Sequence, residues 1–552
     1  MGLTLGIQSF EDVFLCQYVD KTEQVWEIAN AGRPCVLSRP RRFGKSLLIS
    51  TFKAYFQGRK DLFAGLAIEP LEKKWEQYSV LHLDLSPFEY YPPSSSAPSW
   101  ARSSVDEQQT KLEKILSDKL LEWETEFGVN ENEGTLSERF ARIIQHTAEQ
   151  SGKGVVVLID EYDKPLLETL CSQDLLKSHL SVLNSFYSVL KREERHLYFV
   201  FLTGITKLAQ VSVLSEINQR NGSSLDRDFP TLCGFTREEL TTKFRRQIES
   251  LGESHDISME ETLAVLTRRY GGYRFHHSGE QLFQPWSVLM AFHEGRFGDY
   301  SNHIGIPKIL KWVVENRSSD LVPLLTGVSL DGSDMDPTSG TVLKPAVEPG
   351  SAKYLKSLGE ALQDPFLLTY LCGYITVKDY DKRFDIYQLA FPNDEVRLGL
   401  AKFALLIRTP VPDKQRRSFI RKLVKSLEAD RLKSFFATFD CFLPVNSRLE
   451  PFPAHNWPLI VHLVFCLMSE FIKTRTQFFS DGAGAVVDTT ERVYKFLFKL
   501  DGTAREALDQ VKTSLTEKEK NEEARTTVEI GARINCDGRS VVWEIQRQEN
   551  FQ

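Results

Sequence analysis

The sequence predicts an α/β fold built on a parallel sheet covered by helices on both faces. Three observations carry that prediction. Short continuous apolar runs recur along the first 240 residues: PCVLS at 34–38, GVVVLI at 154–159 and LYFVFLTG at 197–204. Unbroken apolar runs of this length suit strands buried on both faces, and helical stretches separate them. The run at 34–38 leads to a Gly-Lys-Ser turn, and the run at 154–159 ends in two acids.

Taken in order, Pro34 to Ser38 is the first strand and Ser46 to Phe56 the helix after it. Tyr78 to Ser86 alternates apolar and polar residues and reads as a strand. A Pro/Ser-rich loop from Tyr91 to Ser104 precedes a long charged helix, Val105 to Phe127. Gly154 to Ile159 and Leu197 to Gly204 complete the sheet. Thr236 and Glu239 have capping-box spacing at the start of a mostly helical region that reaches about residue 310, broken at Gly271-Gly272. Ser329 to Ala352 reads as a linker, and ordered structure resumes from Leu367 to Leu389 with a hairpin around Asp379 to Arg383. From about residue 450 the pattern is helix, strand, strand, helix, strand, strand. The last two strands flank an Asp537-Gly538 turn.

At 552 residues the length suits three or four domains. The hydrophobic fraction of 41% and charged fraction of 26% exclude a disordered, collagen-like or disulfide-scaffold chain. A net charge of −7 excludes a global basic signature for nucleic acid, though not a local patch. Eight scattered cysteines with no C-x-x-C pair argue against a zinc ribbon and fit reduced thiols in a cytoplasmic or nuclear setting. No apolar run nears the roughly 18–20 residues of a membrane span. The first twelve residues lack a secretory pattern, and Gly6 stands where myristoylation of Gly2 wants Ser or Thr. Partners at a membrane are therefore not expected, and the oligomeric state is open.

The strongest chemical signal is Arg39-Pro-Arg-Arg-Phe-Gly-Lys-Ser46. It ends as the phosphate-binding pattern G-x-x-x-x-G-K-[ST] ends, with Arg39 at the first glycine position. Such a loop turns backbone N–H groups toward phosphate oxygens at the positive end of a helix. Pro40, Arg41, Arg42, Phe43, Gly44, Lys45 and Ser46 are the expected nucleotide contacts. Lys45 is placed on the β- and γ-phosphates, Ser46 on Mg²⁺. Asp160, at the C-terminal end of its strand, is the second expected Mg²⁺ ligand, and Glu161 the general base for the attacking water. Thr203, ending the next strand, is expected to touch the γ-phosphate or position water. ATP and Mg²⁺ are the cofactors this set predicts.

Further segments complete a resemblance. Tyr18-Val-Asp-Lys-Thr22, the loop at 39–46, Leu158-Ile-Asp-Glu-Tyr-Asp163 and Leu202-Thr-Gly204 with Lys207 look like the AAA-ATPase-like family. So do Cys233-Gly-Phe-Thr236, Gly272-Tyr-Arg-Phe275 with Pro285, and Phe391-Pro-Asn393 with Glu395-Val-Arg397. In that family the Arg-Pro-Arg-Arg-Phe form of the loop is the normal one. The resemblance implies a P-loop NTPase core of the ASCE type at 1–240, with a catalytic Glu beside the Mg²⁺ Asp. A helical, winged-helix-like region at 241–445 and a small α/β restriction-endonuclease-like domain at 446–552 would follow. Many members end in such a PD-(D/E)XK nuclease-like domain. Here His462-Leu-Val-Phe465, Gly482, Phe498-Lys499-Leu-Asp-Gly502, Ala504, Ala507-Leu508 and Gln510 are similar to it.

The acids of that pattern are missing. Gly482-Ala483-Gly484-Ala485 stands for Gly-Arg-x-Asp, Leu497-Phe498-Lys499 stands for Glu-Phe-Lys, and the upstream helical Glu falls at Thr476. Asp481 and Asp488 are near but out of register. The resemblance thus implies an ATP-binding, ATP-hydrolysing protein with a degenerate nuclease-like domain that contacts nucleic acid or protein without cutting. A nucleotide-dependent switch or scaffold with little turnover, and a Mg²⁺-dependent DNA nuclease with relocated ligands, are the alternatives. Lys414 to Lys425 forms an amphipathic basic helix, either a solvated surface helix or a nucleic-acid contact. His276-His277 reads as ordinary loop residues, and Arg220 as a surface cation or an arginine finger.

Overall fold

The computed structural model describes residues 6–13, 18–32, 34–89, 105–129, 133–169, 172–205, 225–300, 342–345, 369–370, 372–383, 386–443, 457–479, 482–514, 525–535 and 540–548. Gly2, the loop at 91–104, Lys207, Arg220, Asp481 and the Asp537-Gly538 turn lie outside them. So does the 329–352 linker apart from residues 342–345. The chain divides into two compact units, one of residues 1–313 and 343–395, the other of residues 314–342 and 396–552.

In the first unit β1 (Cys35–Ser38), β2 (Val80–Asp84), β3 (Val155–Asp160) and β4 (Leu197–Gly204) form a sheet in the order β1-β4-β3-β2. Every pairing is parallel, as the unbroken apolar runs predict. All six residues of β3 are buried. Register sets Leu37 beside Thr203 and Asp84 beside Asp160, so the C-terminal ends of the strands share one edge. The helix Lys45–Phe56 buries Leu48, Ile49, Phe52 and Phe56, and Phe52 and Phe56 meet Phe199 of β4. The helix Leu136–Ser151 starts at a capping box on Thr135 and Glu138 and ends at Gly152 in the left-handed region. Beneath it Arg139 donates to both carboxylate oxygens of Glu124 at 2.7 Å, a buried pair in the geometry that best offsets desolvation.

Beyond residue 225 come the helices Arg237–Lys243, Arg245–Glu253, Met259–Tyr270 and Pro285–Glu294. The expected capping box at Thr236 and Glu239 is formed. These helices share a core of Phe244, Ile248, Leu266, Tyr270 and Val288. β5 (Val342–Pro345), β6 (Thr376–Asp381) and β7 (Ile386–Ala390) make a small sheet in the order β5-β7-β6. The β6–β7 hairpin turns slightly later than the sequence suggests. Gly272 sits at φ 83°, where a Cβ would lie 2.0 Å from the carbonyl oxygen of Pro392. Asn393 donates to the Gly271 carbonyl at 2.8 Å. The two motifs are one contact.

The second unit pairs β8 (Lys473–Phe479), β9 (Gly482–Asp488), β10 (Arg492–Lys499), β11 (Thr526–Ile534) and β12 (Val541–Gln548) in the order β12-β11-β10-β9-β8. Only β10 and β11 run parallel, and the helix Ala504–Ser514 makes their crossover. Three strands precede that helix, where the sequence reading gave two. β8 is an edge strand carrying Lys473 and Arg475, so it lacks the apolar signature of a buried strand. Thr476, matched above to a helical position, lies in it. The helix Trp457–Met468 is apolar all round, as a helix enclosed by its unit should be. Phe435, Phe439, Phe465, Phe496 and Phe498 stack into the adjoining core. The basic helix runs from Asp413 to Glu428 and buries Ile420, Leu423 and Val424, leaving Lys414, Arg417, Arg421, Lys422 and Lys425 exposed. Among the described residues no helix is long and apolar enough to cross a membrane. Among the described residues Cys35, Cys233, Cys372, Cys441 and Cys466 are in no disulfide.

Candidate functional site

The site forms at the carboxyl edge of the parallel sheet. Because β4 lies between β1 and β3, Thr203 stands between the 39–46 loop and Asp160. The Thr203 hydroxyl donates to Asp160 Oδ1, and the Ser46 hydroxyl acts on the same carboxylate. Burial raises the Asp160 pKa above the usual carboxylate range, while the two hydroxyls and the Lys45 charge pull it back. Sequence reasoning put Thr203 on phosphate or water. Its contact here is with the carboxylate, which it orients.

Lys45 is buried. Its Nζ donates to the carbonyls of Arg39 and Pro40, both at 3.2 Å, and lies 3.5 Å from Glu161 Oε1. Glu161 leaves β3 at φ 54°, a left-handed conformation costing a non-glycine residue about 1–2 kcal/mol. The surrounding bonds enforce it: Tyr162 N–H donates to the Thr203 carbonyl at 2.9 Å, and Asp163 accepts the Ile205 N–H at 3.0 Å. A Cβ on Gly204 would lie 2.6 Å from the Tyr162 ring and 2.7 Å from Asp163, so Leu-Thr-Gly needs its glycine to let these segments approach.

The loop explains its own composition. Its left-handed residues are Arg42 at φ 69° and Gly44 at φ 94°; Arg39 is not one of them, so glycine is not required there. Arg39 is buried with its guanidinium 4.1 Å over the Phe275 ring. Pro40 packs on Gly373, itself at φ 76°. The Arg41 carbonyl accepts from Gln284. Arg42 stacks 4.5 Å from the Trp286 ring centroid. Phe43 is buried against Tyr273, Phe275 and Gly234. Segments some 190 to 330 residues downstream thus hold the loop from behind, and no local pattern in the sequence announced Phe275, Trp286 or Gly373 in that role.

A cavity of about 440 Å³ opens from the loop. Its lining combines the charged and polar Arg41, Arg42, Lys45, Ser46 and Glu161 with the apolar Tyr18, Val19, Leu232, Phe235, Trp286 and Leu289. Lys21, on its wall, is paired with Glu239, the acid of the Thr236 capping box. Burial raises the Cys233 thiol pKa against the pull of Arg39, Lys45 and Lys21. Charged and apolar side chains on the same walls suit a phosphorylated ligand with a flat ring. The hard oxygen donors of Ser46 and Asp160 suit Mg²⁺.

Among its described residues the second unit gives no comparable centre. Ala485 pairs with Phe496, and Leu497 with Gly484, so the two positions matched to nuclease acids face opposite sides of the sheet. Asp488 shares the face of Leu497 and Lys499 but lies between Lys473 and Arg525, at 3.8 and 3.7 Å. Among the described residues no group of three His, Cys, Asp or Glu side chains could hold a metal. His276 bonds Ser278 and His277 rests on Tyr380, consistent with ordinary loop roles.

The fold and the edge constellation define a parallel-sheet α/β protein with a P-loop-like Gly44-Lys45-Ser46 turn facing an Asp-Glu strand end. Residues 4–214 match the family model described as AAA-ATPase-like, Predicted AAA-ATPase. A protein of Azotobacter chroococcum mcd 1, described as an uncharacterized protein in the vnfD 5′ region, is 26% identical over 452 residues. The match covers 80% of this chain and 78% of that one. No solved structure matches.

Proposed function

We propose that the protein binds ATP with Mg²⁺ in the first unit and hydrolyses it to ADP and phosphate. One observation carries the reading: Lys45, Ser46 and Glu161 line a cavity that also has apolar walls, and Thr203 holds Asp160 at the same sheet edge. Backbone N–H groups of the loop and the helix beginning at Lys45 would hold the phosphates. Lys45 would move from its loop carbonyls onto the β- and γ-phosphate oxygens. Glu161, half-shielded and beside Lys45, would accept the proton of the attacking water in line with the γ-phosphate. Ser46 and Asp160 would hold Mg²⁺, with Thr203 fixing the carboxylate. When bound, the ion supplies positive charge against the phosphate oxygens.

Calorimetric ATP titration in Mg²⁺, paired with phosphate release, tests this. Lys45→Ala should abolish binding. Glu161→Gln should keep binding and lower turnover by roughly 10²–10⁴-fold. A folded wild-type protein giving no heat with any nucleotide would refute the reading. Binding with equal, near-zero release from wild type and Glu161→Gln would favour a nucleotide-dependent switch.

For the second unit we propose a nuclease-like fold that does not cut. Its helix, three strands, crossover helix and two strands support the likeness, and Ala485 and Leu497 at the matched positions supply no acid. The exposed cations of the Asp413–Glu428 helix are the proposed nucleic-acid contact. Plasmid DNA incubated with Mg²⁺ or Mn²⁺ should stay intact; cutting that disappears in Lys499→Ala would overturn this.

A further inference from the structure

Arg42 is the one non-glycine residue of the 39–46 loop in the left-handed region. Glycine there would avoid about 1–2 kcal/mol of strain. What the side chain reaches is the Trp286 ring, 4.5 Å from its centroid. Two influences act on the Arg42 charge, burial first and then the neighbouring Arg41, and both oppose it. No carboxylate lies against Arg42 among the described residues. An aromatic face attracts a guanidinium and covers one of its faces, leaving the in-plane N–H edges free to donate.

Trp286 is itself held. It follows Pro285 at the start of the Pro285–Glu294 helix. The next residue, Ser287, has its hydroxyl 2.6 Å from Gln284 Oε1 and 2.7 Å from Glu395 Oε2, within hydrogen-bond reach of both acceptors. Arg42 and Trp286 line the same cavity as Lys45, Ser46 and Glu161. The unsatisfied demand at this wall is for an anion with several in-plane acceptors, which describes a polyphosphate.

Resting on the ATP reading, we propose that Trp286 is a positioning residue that holds Arg42 as a second cation, beside Lys45, on the triphosphate. The arginine comes from within the loop, and the tryptophan that aims it comes from the helical segment more than 200 residues downstream. The pair acts on the bound ground state, so its loss raises KM more than it lowers kcat.

The test is calorimetry with ATP, ADP and inorganic tripolyphosphate, plus steady-state ATPase rates. It uses full-length wild type, Arg42→Gln, Trp286→Ala, Trp286→Phe and the Arg42→Gln/Trp286→Ala double variant. Arg42→Gln and Trp286→Ala should each weaken ATP and tripolyphosphate by roughly tenfold. The double variant should be no weaker than Arg42→Gln, and Trp286→Phe should recover most of the affinity. KM should rise about tenfold with kcat within about threefold. Binding within twofold of wild type in Arg42→Gln, additive losses in the double variant, or a Trp286→Ala loss confined to ATP and absent with tripolyphosphate would overturn the proposal. Should Trp286→Ala fail to fold, Arg42→Gln and Trp286→Phe still decide it. Wild type that binds no nucleotide defeats the parent reading instead; wild type that binds while the variants match it defeats this proposal alone.

Discussion

Gly373 tests whether the distant contacts behind the phosphate loop govern it. An alanine Cβ there would lie 2.3 Å from Pro40 Cγ and 2.4 Å from Pro40 Cβ. Carbon atoms pack at about 3.5–4.0 Å, so one partner must retreat by more than about 1 Å. The proline ring is rigid, and Arg39 and Arg41 on either side of it are held by Phe275 and Gln284. Overpacking of this kind costs about 1–3 kcal/mol, and the left-handed backbone at φ 76° adds about 1–2 kcal/mol. Gly373→Ala should therefore lose about 2–5 kcal/mol. Gly295→Ala is the control: it has φ 63° with nothing within 4 Å of the new Cβ, and should lose only the backbone share, about 1–2 kcal/mol. Lys45 rests on the Arg39 and Pro40 carbonyls, so displacing Pro40 should also weaken ATP binding by at least about tenfold, with no change in Gly295→Ala. Chemical denaturation and ATP calorimetry on both variants measure this. Equal stability loss and equal ATP affinity in the two would refute the reasoning.

Thr203→Val removes the donor that fixes Asp160 and should raise the Mg²⁺ concentration needed for half-maximal turnover by roughly 10–100-fold, read from a Mg²⁺ titration. His82 is held neutral in β2: burial, and then Lys53, lower its pKa from 6.5 to about 4. The unfolded chain takes up this proton below about pH 6.5 and the folded chain only near pH 4, so stability falls as pH drops through that window. Wild type should lose about 1–2 kcal/mol between pH 7 and 5 that His82→Gln does not, and parallel pH–stability curves would refute this. Glu395→Gln puts an amide where a buried carboxylate accepts the Ser287 hydroxyl and the Tyr300 N–H, and should cost about 1–3 kcal/mol by thermal melting. An unchanged melting curve would show those bonds to be dispensable.

Strands β1, β3 and β4 of the first sheet were legible because each is a short apolar run with a chemical marker at its end, and β2 because it alternates apolar and polar residues. Asp160 and Glu161 follow β3, Thr203 and Gly204 end β4, and Gly44 to Ser46 follow β1. The capping box at Thr236 was legible because its two bonds are local. What lay hidden were contacts between residues far apart in sequence. Nothing near Arg39 specifies Phe275 as its cover, and nothing near Pro40 specifies Gly373. The extra strand β8 escaped because an edge strand has one pairing neighbour and carries polar residues that resemble a loop. The side on which Ala485 and Leu497 fall depends on strand register, which spacing along one strand does not reveal.

The first unit is stitched from both ends of a long stretch of chain. Gly373 backs Pro40, Asn393 holds Gly271, and Glu395 secures the helix bearing Trp286. On the ribosome, at roughly 5–20 residues per second, tens of seconds separate the emergence of Pro40 from that of Glu395. Phe275 and Trp286 reach the loop partway through that interval, and its backing is complete only after Gly373 and Glu395 have emerged. A growing polypeptide would shape this pocket late, and a fragment ending near residue 240 would carry the 39–46 loop and the Asp-Glu strand end yet lack the scaffold behind them.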